Sequence, residues 1–231
     1  MGTANLLEAL ATLDYRALIY TGSSSEYGHK DGPMRPGDRL EPRTDYAVAK
    51  AAASLLCLAE AAKGRPVVCV RVFSAYGPGE EPSRLVPQVM AACLRGEAPR
   101  VSAGLQPRDF IYADDLIRLL RTAADCPDAC GRILHAGSGK QTCVRDMVET
   151  ILSVGAAGGL KAAYGAEPTR PDEPTSWVAD IEATSAITGW TPGIDLRQGV
   201  ERTWAWFLAH EAKGTAQPAS LPRRTVAGAS R

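Results

Sequence analysis

The feature that most constrains this chain is a pair of short apolar runs with one helix between them. Arg16-Ala17-Leu18-Ile19-Tyr20 predicts a buried strand over residues 17–20, and Pro66 to Phe73 a second over 67–73. Between them, Thr44 or Asp45 caps a helix predicted to reach about Lys63, where Gly64 stops it. Val48, Ala51, Ala52, Leu55, Leu56 and Ala59 are its expected buried stripe. His29 to Arg43, with Gly32, Pro33, Pro36, Gly37 and Pro42, reads as the loop that precedes it. The order is strand, serine run (Ser23, Ser24, Ser25), helix, strand and the turn Gly77-Pro78-Gly79. Hydroxyls just beyond the C-terminal end of a strand sit where open α/β sheets bind ligands.

The helix opens with Tyr46-Ala47-Val48-Ala49-Lys50. Residues four apart lie on one helix face, so the phenol and the ammonium share a space. A tyrosine keeps its proton until about pH 10. A fixed positive charge nearby favours the phenolate and makes the phenol a usable acid or base near neutrality. Taken alone, such a pair is equally the pattern of a solvated helix face. Its setting between the serine run and the second strand is what gives it weight.

Four further segments carry a resemblance. Gly2-Thr3-Ala4-Asn5-Leu6-Leu7-Glu8-Ala9, Arg71-Val72-Phe73-Ser74-Ala75-Tyr76-Gly77-Pro78-Gly79, Arg108-Asp109-Phe110-Ile111-Tyr112-Ala113-Asp114-Asp115 and Arg170-Pro171-Asp172-Glu173-Pro174 follow one another in order. Together with the tyrosine–lysine pair they resemble the extended short-chain dehydrogenase/reductases, the NAD(P)-dependent nucleotide-sugar epimerases, dehydratases and 4-ketoreductases. The resemblance spans nearly all of Gly2 to Phe207. It implies an α/β fold: the C-terminal part of a doubly wound, Rossmann-like parallel sheet with a small C-terminal substrate-binding lobe.

It also implies roles. Tyr46 would exchange a proton with the C4 oxygen of a nucleoside-diphosphate hexose while hydride passes between C4 and NAD or NADP. Lys50 would hold the nicotinamide ribose, and Ser23 would hydrogen-bond the same sugar oxygen. Phe73 matches a position whose backbone lies against the nicotinamide. Arg108 and Arg170 match the arginines that clamp the substrate diphosphate, a task suited to a rigid, bidentate guanidinium. Ser24, Ser74 and Glu173 fall at substrate-contacting positions; Ser74 stands where many relatives carry Asn and offers fewer hydrogen bonds. Members that eliminate water need an acidic pair after the catalytic hydroxyl, and Ser24 and Ser25 occupy those places. The 3,5-epimerase/reductases need a Cys and His pair, and His29, His135 and His210 are not placed for it. A 4-ketoreductase or 4-epimerase is therefore the expected activity.

One departure stands beside these matches. No Gly-x-x-Gly-x-x-Gly turn of the kind that seats a dinucleotide pyrophosphate at a helix N-terminus occurs in the sequence. The rival expectation is accordingly a truncated, non-catalytic remnant that binds a nucleotide sugar or a partner chain. The nearest phosphate-loop candidate, Gly137-Ser138-Gly139-Lys140, has Leu134 where the first glycine is required and Gln141 in place of Ser or Thr, so it reads as a plain turn.

Twenty-six basic and 26 acidic residues balance to zero net charge without a basic cluster, which gives nucleic acid no electrostatic footprint. No apolar run is long enough to span a bilayer, and no signal peptide opens the chain. The six cysteines show no metal-ligand spacing and read as free thiols in a reducing cytoplasm; no metal is expected. Residues 1–80 are expected to form the partial Rossmann-like domain and 81–212 a mixed substrate-binding lobe, with 213–231 a disordered tail. A homodimer is the expected assembly.

Overall fold

The computed structural model describes residues 2–155, 159–169 and 171–211 of the 231. Arg170 and the 213–231 tail lie outside the described residues. In chain order the regular elements begin with α1 (Gly2–Ala9), β1 (Leu18–Ser23), α2 (Asp45–Ala62), β2 (Val67–Val72), β3 (Ser74–Tyr76) and α3 (Leu85–Leu94). There follow β4 (Arg100–Val101), β5 (Pro107–Arg108), β6 (Phe110–Tyr112), α4 (Ala113–Ala124), β7 (Ile133–Ala136) and β8 (Thr142–Cys143). The last are α5 (Val144–Val154), β9 (Ala163–Tyr164), α6 (Glu182–Thr188) and α7 (Leu196–Glu211).

Three strands form the central parallel sheet in the order β1-β2-β7, with Leu18 opposite Val67 and Cys69 opposite Ile133. Parallel neighbours need a crossover, and α2 supplies it between β1 and β2. The pleat sends alternate residues of β2 to opposite faces. Val67 and Cys69 meet Leu7 of α1 and Cys57 of α2. Val68 and Val70 meet Leu119 of α4, Leu134 of β7 and Trp190. A separate apolar core joins Val86 and Met90 of α3, Met147 and Ile151 of α5, and Val200 of α7. The α/β class with parallel strands is as the sequence predicts, and β1 runs three residues further than expected, to Ser23.

The stripe expected for α2 holds at Ala51 and is corrected at its other five positions. Ala47, Ala51, Ala53, Ser54 and Cys57 face inward, whereas Val48, Leu55 and Leu56 are exposed, as are Ala52 and Ala59. The helix is apolar around most of its girth, so hydrophobic period alone did not choose a face. Its small residues do, because they let the helix axis approach the sheet closely. Further along, the extended stretch Trp177 to Asp180 docks on the loop before α2. Met34 bridges Ala179, with Met34 N donating to Val178 O at 2.8 Å and Asp180 N to Met34 O at 2.8 Å.

Candidate active site

The site gathers at the C-terminal end of β1. The strand ends at Ser23, and Ser24–Tyr27 coil into one 3-10 turn whose N-cap is Ser23. Ser23 Oγ accepts from Ser25 N at 3.2 Å, and Glu26 returns the favour, its Oε1 accepting from Ser23 N at 2.8 Å. Glu26 is fully buried, and its Oε2 accepts from Ser54 Oγ of α2 and Arg71 Nε of β2, each at 2.8 Å. Gly22 makes the room: a Cβ there would lie 2.5 Å from Glu26 Oε1. The Arg71 guanidinium in turn lies 4.4 Å from the centre of the Tyr27 ring.

Tyr27 is held from its other end. His135 Nδ1 lies 2.9 Å from Asp180 O, an acceptor, so Nδ1 carries the proton and Nε2 accepts from Tyr27 Oη at 2.6 Å. Burial pushes His135 down to about 4, which keeps this neutral tautomer in place at ordinary pH. Ser24 is buried, and its Oγ accepts from Trp177 Nε1 at 3.1 Å. The serine turn is thus fixed on three sides, by α2, by β2 and by the Trp177 stretch.

Against this turn α2 presents Tyr46 and Lys50. Thr44 caps the helix, its Oγ1 accepting from Ala47 N at 3.2 Å. Lys50 Nζ donates to Thr21 O of β1 at 2.8 Å and lies 5.9 Å from the Tyr46 ring centre. That bond ties the ammonium to the strand two residues before Ser23. Tyr46 is 58% exposed, open to whatever binds above the strand end. The three residues expected to act together, Ser23, Tyr46 and Lys50, are therefore placed on adjoining elements at one strand end. Phe73 follows β2 directly; its N–H bonds Ala136 O at 3.0 Å and its ring packs edge-on to His135 at 5.5 Å.

A cleft of about 410 Å³ opens alongside, lined among others by Ser74, Arg108 and Glu173. Ser74 enters it through β3, which pairs with β6 beside Arg108. Arg108 Nη2 and Glu173 Oε2 are 2.9 Å apart, so these two expected substrate contacts hold one another. An incoming anion must share the guanidinium with Glu173. Arg170, the second expected clamp, is outside the described residues.

Four functional neighbours were missed from sequence. Glu26 and Arg71 form the buried ion pair under Ser23, and a lone arginine inside Val-Val-Cys-Val-Arg-Val was the available signal. Asp109, beside Arg108, is buried; its carboxylate accepts from Ser138 N at 2.5 Å and from Gly139 N and Ala179 N at 3.0 Å. The first two amides belong to the glycine turn that was set aside as a phosphate loop, the third to the Trp177 stretch, and an internal carboxylate takes all three. Glu80, also in the cleft, is pushed up to about 7 by burial, with Arg84 pulling the other way.

Glu80 sets a pH dependence. Its folded value is raised from 4.5, so it contributes stability fully present below about 4.5 that is lost as pH rises through about 7. Glu80→Gln removes that loss, so the variant should gain on the wild type as pH rises from 4.5 to 7. Urea unfolding at several pH values reads the difference, and parallel curves would refute it. His135 acts in the opposite sense: lowered from 6.5 to about 4, it contributes stability that is lost as pH falls through that range.

Comparison with known proteins agrees with the α/β fold. Residues 1–137 match the model of the NAD dependent epimerase/dehydratase family. The chain is 26% identical over 204 residues to the uncharacterized UDP-glucose epimerase YtcB of Bacillus subtilis, covering 87% of this chain and 64% of that protein. UDP-glucuronic acid 4-epimerase from Bacillus cereus, solved with UDP-glucuronic acid and NAD, superposes with a TM-score of 0.82 at 25% identity, covering 90% of this chain and 66% of that one. MoeE5, solved with UDP-glucose and NAD, gives 0.79 at 31% identity over 90% of this chain and 70% of that one. The chain thus spans about two thirds of the length of these relatives. With more than half of its residues inside the family model and the expected residues at one strand end, the chain belongs to the NAD dependent epimerase/dehydratase family.

Proposed function

We propose that the chain is the sugar-facing part of an enzyme that oxidises or reduces C4 of a nucleoside-diphosphate hexose, as a 4-epimerase or 4-ketoreductase using NAD or NADP. The observation that carries this reading is the Lys50–Thr21 bond, which ties Tyr46 and Lys50 to the strand that ends in Ser23. A bound nicotinamide supplies the hydride acceptor or donor. Lys50 and the exposed Tyr46 fit its ribose end, since both face the open end of β1. In this reading the Tyr46 hydroxyl moves the proton of the sugar hydroxyl, with Ser23 Oγ orienting the same oxygen. Arg108 takes the diphosphate in the neighbouring cleft, joined by Arg170, with Ser74 and Glu173 at the sugar. Ser24 contributes by holding Trp177 against the turn.

The test is calorimetry with UDP-, dTDP- and GDP-hexoses. Arg108→Ala should weaken binding by about 1.5–3 kcal/mol, the range for charge-assisted hydrogen bonds. Undiminished affinity in that variant would remove Arg108 from the diphosphate.

The same reading takes the protein as a homodimer in the cytoplasm. Leu6 on α1 and Val48, Leu55 and Leu56 on α2 expose large apolar side chains on packed neighbouring helices. No helix among the described residues is long and apolar enough to cross a membrane.

A further inference from the structure

Among the described residues, two buried side-chain polar atoms lack a hydrogen-bond partner: Glu80 Oε2 and Gln106 Oε1. Both residues line the cleft that holds Arg108. Native proteins satisfy nearly all such atoms, so two orphans in one cavity call for a common cause. Glu80 has little else to hold it, because Arg84 Nε approaches its other oxygen only to 3.5 Å. Gln106 is anchored by Nε2 on Ser102 Oγ at 2.8 Å. Turning that amide over would free Nε2 instead, so one polar atom of Gln106 is unpartnered in either orientation.

We infer that Glu80 and Gln106 recognise the nucleoside end of the substrate, accepting hydrogen bonds from its O–H or N–H donors. The inference rests on the placement of the diphosphate at Arg108. Gln106 precedes Arg108 by two residues along the extended segment that enters β5, which sets them about 7 Å apart on one side of the chain. With Ser74 taken for the sugar and Arg108 for the diphosphate, Glu80 and Gln106, which line the same cleft, are left for the nucleoside. A carboxylate and a carboxamide oxygen are acceptors, and the donors a nucleoside diphosphate offers there are ribose hydroxyls and base imide N–H.

The experiment is UDP calorimetry on the whole chain, with thermal unfolding of the ligand-free protein, for wild type, Glu80→Leu, Gln106→Leu and Glu80→Gln. Each leucine should weaken UDP binding about tenfold or more, whereas Glu80→Gln, which keeps an acceptor oxygen, should stay within a few-fold. Removing an unpaired buried acceptor relieves the folded state, so the ligand-free Tm of the leucine variants should hold or rise by about 2–4 °C. Comparing UDP with 2′-deoxy-UDP and N3-methyl-UDP locates the donor: a loss confined to one analogue assigns it to ribose or to base. UDP binding unchanged in both leucine variants overturns the inference, as it would if these atoms held only solvent. Equal binding of all three ligands overturns it too, as does a lower Tm in every Glu80 variant, which marks a structural role. Loss in Arg108→Ala with none in the leucine variants removes this inference and leaves the proposed function standing. Where the wild type does not bind UDP, dTDP and GDP replace it in the same comparison, and absence of binding to all three overturns both.

Discussion

Glu26→Leu should lower the unfolding free energy by about 3–5 kcal/mol, the usual cost of removing one partner from a buried ion pair. Arg71 is 1% exposed, and without Glu26 its charge is left, among the described residues, with Tyr27 and a distant Pro36 carbonyl at 3.5 Å. The Ser23 amide and the Ser54 hydroxyl lose their acceptor at the same time. The companion Glu26→Leu/Arg71→Met should recover most of the loss, because a well-filled apolar pair often matches a buried ion pair in stability. Urea unfolding followed by circular dichroism checks both. A single variant costing under about 1 kcal/mol, or a double variant no better than the single, would show that the pair is not what holds the serine turn.

Tyr46→Phe should do the reverse, leaving the fold alone and removing the chemistry. The side chain is more than half exposed, and among the described residues its hydroxyl has no hydrogen-bond partner that would hold the helix. Stability should therefore stay within about 0.5 kcal/mol. Turnover of a nucleotide sugar with the nicotinamide cofactor should fall by about a hundredfold or more, as expected when a general acid/base is removed. Near-normal turnover would take Tyr46 out of the reaction. Lys50→Met differs, because it also breaks the bond to Thr21 O and should loosen α2 from β1.

The difference between these two residues explains what could be read in the sequence. Tyr46 and Lys50 were legible because a fixed helical spacing and a flanking strand order specify their relation locally. Glu26, Arg71 and His135 act through partners 45 and 108 residues away, at contacts that only the sheet register creates. The inward face of α2 was misread for a related reason: Val48, Leu55 and Leu56 are as apolar as any core residue, and the fit of Ala51, Ser54 and Cys57 against the sheet is a matter of shape. Arg108 and Glu173 were both singled out, yet their mutual ion pair depends on the path of the chain between them.

Asp109 bears on how this region can change over evolutionary time. Its carboxylate is satisfied mainly by main-chain amides, and every residue except proline supplies one. Position 138 can therefore exchange its letter at the cost of the one extra bond from the Ser138 hydroxyl, whereas Gly139 is held by its left-handed backbone and Ala179 by its burial against Gly137. Gly137 lacks that freedom. A Cβ there would fall 2.7 Å from Asp109 Oδ2 and 2.6 Å from the Ala179 side chain. Drift among relatives should thus leave the aspartate, this glycine and a small residue at position 179 as a matched set, with position 138 the freest to turn over.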